Sequence, residues 1–132
     1  MTMQFAYAIL YVPDVGASLD FWETAFGLTR RFLHESGDYG ELETGATALA
    51  FAAHGLGDMN FPGGHVAAHE SARPLGFEIA LVTADVAAAH ARAVAAGARE
   101  MAAPVMKPWG QVVSYVRCPD GVLVELCTAM AG

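Results

Sequence analysis

Two glutamates interrupt runs that are otherwise apolar. Glu78 sits between Phe77 and Ile79, and Glu125 sits between Val124 and Leu126. Successive strand side chains point to opposite faces, so each carboxylate lies on the face away from its neighbours. If those neighbours pack under a helix, both carboxylates share the other face of a sheet; otherwise they point to solvent. A carboxylate in partly apolar surroundings has its pKa raised by desolvation, and a facing carboxylate raises it further. Such a pair can act as a general base, hydrogen-bond a ligand, or favour a basic one. Cys127 is two residues past Glu125 and shares its face. With no basic group near it, the thiol reads as a small hydrophobe rather than a nucleophile. Trp109 follows Lys107-Pro108 in the turn ahead of a strand. There it either stacks on a ligand or packs at a sheet end.

Other candidates carry less. Tyr7, Tyr39, Phe51 and Tyr115 are strand aromatics that line a binding face or fill the core, with Phe51 placed on the core side. His65 and His69 are four apart with Glu70 adjacent, a spacing that gathers a metal only on a helix. Pro62-Gly63-Gly64 precedes them and nothing marks a helix, so they read as solvated linker residues. His34, His54 and His90 fall in turns or on a helix face. There is no serine-nucleophile elbow, P-loop or dinucleotide fingerprint.

The elements that position these residues form a pattern that occurs twice. Phe5 to Val12 is an apolar strand, and Asp14 follows as a helix N-cap. Val15, Leu19, Trp22 and Phe26 recur at helical spacing, and Gly27 supplies the left-handed residue that ends the helix. Strand-like runs follow at Thr29 to His34, Tyr39 to Glu43 and Thr47 to Ala53. The second half repeats this order: Phe77 to Thr83 is a strand, Asp85 the cap, and Val86, Ala89, His90, Ala93 and Val94 a helical stripe ending at Gly97. Runs at Arg99 to Met106, Gln111 to Arg117 and Val122 to Thr128 complete it. Each half is β-α-β-β-β, giving one α+β domain over residues 1–132. The first module covers 1–53, a linker 54–74 and the second module 75–132. Two such modules predict two curved four-stranded sheets whose concave faces meet around a cup-shaped cavity, a usual kind of small-molecule site.

Composition sets bounds on function. With 132 residues, 55% hydrophobic and 16% charged, the chain is globular. A formal charge of −7 with scattered Lys and Arg disfavours nucleic acid and anionic membranes as partners. The N-terminal Met1-Thr2-Met3-Gln4-Phe5 lacks the basic start of a signal peptide. Cys118 and Cys127 lie at unequal distances from the turn at Pro119-Asp120-Gly121, which argues against a disulfide. The expected compartment is the cytoplasm.

Over nearly its whole length the chain resembles the vicinal oxygen chelate superfamily of glyoxalases, bleomycin-resistance proteins and extradiol dioxygenases. The carriers are Tyr11-Val12-Pro13-Asp14 with Phe21-Trp22 and Phe26-Gly27-Leu28, then Ala84-Asp85-Val86 with Ala95-Ala96-Gly97-Ala98. Trp109-Gly110-Gln111, Cys118-Pro119-Asp120-Gly121 and Val124-Glu125-Leu126 complete the set. The resemblance implies four metal-ligand positions, one on the first and one on the last strand of each half. Here they hold Tyr7, Ala50, Glu78 and Glu125. Ala50 has no donor atom and a phenol is a poor ligand, so this sequence departs from the metal-binding pattern and no cofactor is expected. The alternative is a weak, water-rich divalent-metal site on Glu78 and Glu125. The expected function is binding and sequestration of a small aromatic or cationic compound, as in antibiotic resistance. Glu78, Glu125, Tyr7, Trp109 and Cys127 would be ligand-binding. The alternative is a metal-dependent lyase, isomerase or dioxygenase of the glyoxalase type. A homodimer is the expected assembly.

Overall fold

Asp14 and Asp85 open the two long helices in the same way. Each accepts a hydrogen bond at 3.0 Å from the backbone N–H three residues on, at Ala17 and Ala88. This satisfies one of the free donors of a helix N-terminus. Gly27 and Gly97 end these helices at positive φ, 70° and 121°. The computed structural model describes residues 1–130. Their elements are β1 (Tyr7–Val12), α1 (Val15–Phe26), β2 (Arg30–Leu33), β3 (Tyr39–Leu42), β4 (Ala48–Ala53) and α2 (His54–Asn60). A 3-10 turn at Ala68–Glu70 follows, then β5 (Ile79–Val82), α3 (Val86–Ala96), β6 (Arg99–Met106), β7 (Val112–Arg117) and β8 (Leu123–Cys127).

The strands form two four-stranded mixed sheets, ordered β1-β4-β3-β2 and β5-β8-β7-β6. In each, the first strand runs parallel to the last and the other pairs are antiparallel. The fold is therefore α+β. The chain divides into two compact units, Met1–Glu23 with Gly27–Ala67, and Thr24–Phe26 with the chain from Ala68 onward.

In the first unit the core lies between α1 and one face of its sheet. Trp22 and Phe51 are both fully buried and meet edge to face, 5.4 Å between centroids. Leu10, Val12, Leu19, Leu42 and Leu49 close around them. In the second, α3 packs on β6, β7 and β8. His90 of α3 reaches through to β7, its Nδ1 2.9 Å from the fully buried hydroxyl of Ser114. His90 Nε2 lies 2.7 Å from a carboxylate oxygen of Glu100. A serine, a histidine and a glutamate thus stand in the order of a nucleophilic triad. Ser114 has no exposed surface on which to meet a substrate, so the set is an anchor for α3.

The segment 54–74, read from the sequence as a linker between the modules, holds a helix. Residues His54–Asn60 form α2 despite two glycines and no side-chain cap. Packing explains it: a Cβ on Gly57 would stand 2.9 Å from the ring of Tyr11 and 3.2 Å from that of His65. The glycine that weakens local helix preference is what lets the helix approach β1.

The β7–β8 turn is equally tight. Arg117 donates to the carbonyls of Ala68 and Ser71 at 2.8 Å and holds that strap against the turn. Gly121, at φ 92°, comes so close that a Cβ would overlap the Ala68 backbone. Replacing Gly121 by Ala therefore strains φ and displaces the strap together. The expected loss is about 3 kcal/mol, a fall in Tm on the order of 10 °C by calorimetry. An unchanged Tm would show that the strap does not press on the turn.

Candidate functional site

One face of each sheet is left without a long helix, and strand alternation decides what stands on it. In the second unit Ser114, Val116, Val124 and Leu126 turn toward α3, so Val113, Tyr115, Glu125 and Cys127 share the opposite face. Glu125 pairs with Tyr115 on β7 and with Ala80 on β5. The Tyr115 hydroxyl donates to Glu125 Oε1 at 2.9 Å. Glu78 lies one residue before β5, and its carboxyl meets that of Glu125. Glu78 is exposed, yet partial desolvation of its carboxyl first, and then Glu125, raise it above its ordinary value. Burial and the neighbouring Glu125 push the Tyr115 phenol up to about 12. Cys127 is buried, and burial followed by Glu125 raises its thiol, so it is held as an inert thiol. The side chains of Glu78, Glu125, Tyr115 and Cys127 thus gather at one place.

Trp109 is largely exposed in the β6–β7 turn, at 59%. Its indole N–H donates to Gln111 at 2.8 Å, and Gln111 donates to the Thr128 carbonyl at 2.8 Å. Those bonds fix the indole at the end of the sheet, beside β8, with much of its ring open to a partner.

In the first unit Leu10, Val12, Leu49 and Phe51 turn toward α1, leaving Tyr7, Ile9, Tyr11, Ala48, Ala50 and Ala52 on the other face. Tyr7 is 55% exposed. Ala50 stands directly opposite Glu41 of β3. Sequence reasoning passed over Glu41, although Gly40 and Leu42 flank it as apolar residues flank Glu78 and Glu125. Glu41 is buried and its charge is answered. The Tyr39 hydroxyl donates to it at 2.7 Å and Arg31 Nη1 donates at 3.1 Å. Arg31 also forms a two-pronged pair with Glu43, at 2.7 and 2.8 Å. Burial and the bond to Glu41 raise the Tyr39 phenol well above its ordinary value.

The histidines correct the sequence reading. His65 is not a solvated linker residue: its side chain is 19% exposed and its ring stacks on His54. His69 is half-buried, its Nε2 3.6 Å from Glu70. The two therefore turn to different partners. Among the described residues no three His, Cys, Asp or Glu side chains converge as a metal site. The metal implied by the resemblance is not matched by its donors: Ala50 has none, Tyr7 offers a phenol, and only Glu78 and Glu125 are carboxylates. Two donors fall short of the three protein ligands usual at a catalytic metal.

The family model for the Glyoxalase/Bleomycin resistance protein/Dioxygenase superfamily matches residues 4–126. The chain belongs to that superfamily. Among solved structures it is similar to a glyoxalase-related enzyme from Fulvimarina pelagi, with TM-score 0.81 and 24% identity over 97% of this chain and 89% of that one. It is also similar to a glyoxalase/bleomycin resistance protein/dioxygenase family enzyme from Burkholderia phytofirmans PsJN. There the TM-score is 0.78 and the identity 19%, over 97% of this chain and 100% of that one. A third, a glyoxalase/bleomycin resistance protein/dioxygenase from Nocardioides, gives 0.74 and 22% over 100% and 87%. At such identities the likeness is one of fold. No curated protein matches the chain. Among the described residues no helix is long and apolar enough to cross a membrane.

The facing carboxylates have a consequence for stability. A carboxyl whose pKa is raised on folding binds its proton more tightly in the folded state. The stability this carboxyl contributes is fully present below its ordinary unfolded value and is lost as pH rises through the raised folded value. Glu78→Gln is expected to raise Tm at pH 7.5, to change it little at pH 4, and to lose part of its advantage in high salt. A lower Tm for the variant at pH 7.5 would show that Glu125 does not repel Glu78.

Proposed function

We propose that the protein binds a small cationic aromatic compound and sequesters it without chemical change, on the helix-free face of the second sheet. One observation carries this reading: Glu78 and Glu125 face each other with no basic side chain to answer them. Among the described ion pairs none reaches either residue. In the first unit, by contrast, Arg31 neutralises Glu41. Two adjacent carboxylates attract an N–H-bearing cation, because a charge-assisted hydrogen bond relieves their repulsion. Tyr115 holds Glu125 in place, and Trp109 offers an exposed ring for stacking. Cys127 contributes apolar surface beside the carboxylates. Tyr7 belongs to the first sheet and would contribute an aromatic surface there. Family membership is compatible with this role, and it is equally compatible with catalysis, since one fold hosts many activities.

Calorimetric titration with planar aromatic amidines and their neutral isosteres tests the reading. The cations are expected to bind in the micromolar range and the isosteres at least ~10-fold more weakly. Glu125→Gln should cost about 1.5–3 kcal/mol, roughly 10- to 100-fold in affinity. Equal affinity for cation and isostere would reject it. So would tight manganese binding to chelator-stripped protein that is lost in Glu125→Gln, which would restore the metal-dependent lyase, isomerase or dioxygenase.

A further inference from the structure

The binding reading leaves one side-chain cluster of the first unit unused. Helix α2 packs on β4 and β1, with Gly57 against the Tyr11 ring. Past Phe61 the chain returns, and His65 meets the first residue of the helix. Nδ1 of His54 lies 2.7 Å from Nε2 of His65, the rings 5.0 Å apart and inclined by 21°. The His65 ring also lies 4.8 Å from that of Tyr11 and 5.9 Å from that of Phe61. The segment 54–65 thus closes upon itself at the His54–His65 contact and upon β1 through the Tyr11 ring.

That bond requires one N–H and one lone pair. It persists while the two rings are neutral, or while they share one added proton. A second added proton sets N–H against N–H at the same spot and stacks like charges ring upon ring. Asp58 of α2 is exposed, with Oδ1 3.9 Å from Nδ1 of His65, the nitrogen remote from the shared bond. From β1 the facing titratable group is the Tyr11 phenol, neutral in acid. From β4 there is none, its sequence being Ala-Leu-Ala-Phe-Ala-Ala. A bridging metal does not suit the pair as it stands. Two nitrogens on one tetrahedral zinc lie about 3.3 Å apart at Zn–N near 2.0 Å.

We propose that α2 is an acid-released clasp on the first sheet, shut while the His54–His65 pair holds at most one added proton and opened when both rings are charged. The shut form binds fewer protons than the open form, so falling pH favours opening. Opening uncovers Tyr11, on the face that carries Tyr7 and Ile9. The proposal does not depend on what the second sheet binds.

Hydrogen exchange read by mass spectrometry tests it, with rates corrected for the intrinsic effect of pH and with peptides of β7 and β8 as reference. Protection across 54–65 should fall at least tenfold more than the reference between pH 7.5 and pH 5.5. His65→Phe, which keeps a ring over Tyr11, should abolish that difference, and so should His54→Asn. Asp58→Asn should retain it. Equal protection at both pH values would overturn the proposal. The same would follow if the pH dependence survived both histidine variants, if it vanished in Asp58→Asn, or if protection at pH 7.5 required added zinc. The reference peptides report whether each variant is folded.

Discussion

A sheet has two faces, and each long helix of this protein covers only one. Most of what is distinctive in the structure follows from that constraint. Once Trp22 and Phe51 commit one face of the first sheet to α1, Tyr7, Tyr39, Glu41 and Ala50 have nowhere to stand but the other. The His90–Ser114 bond commits the second sheet in the same way, and Tyr115, Glu125 and Cys127 follow. Capping aspartates and terminal glycines set where each helix begins and ends, and so which residues it claims.

The two halves repeat in topology and diverge in charge. Each presents a tyrosine hydroxyl to a carboxylate, but the strands supplying them differ. In the second unit the carboxylate is on the last strand, at Glu125, and the tyrosine is on its neighbour, at Tyr115. In the first unit both are on the neighbour, at Tyr39 and Glu41, and the last strand carries Ala50. Arg31 answers Glu41, whereas Glu125 meets a phenol, a thiol and another acid, Glu78, and among the described ion pairs none reaches it. One half holds a settled network and the other an unsettled one, and recognition of a charged ligand calls for the second kind.

The repeated β-α-β-β-β order was legible because its signals are local: an aspartate before each helix, a glycine after it, and alternating strands between turns. Glu78 and Glu125 were legible for the same reason, as charges in apolar runs. Their mutual contact, and the tyrosine that holds one of them, depends on strand register, which no short stretch of sequence specifies. Glu41 carries the same local signal, but its place opposite Ala50 and its bonds to Tyr39 and Arg31 depend on register in the same way. Helix α2 was hidden more deeply. Its glycines and missing cap argue against a helix, and the fit of Gly57 against Tyr11 overrides them. His65 and His69 share a spacing that suggests a pair, yet each is defined by a different partner, His54 for one and Glu70 for the other.

Ala50 has no donor atom to offer a metal, and its place opposite Glu41 gives it a second meaning. Directly opposed residues on antiparallel strands hold their Cβ atoms about 5 Å apart. A carboxylate at 50 would crowd a buried one at 41 whose single arginine is already shared with Glu43. The two positions therefore constrain each other: the last strand of this sheet accommodates an acid at 50 only once the acid at 41 is gone, so a carboxylate is brought there by at least two ordered substitutions and not by one.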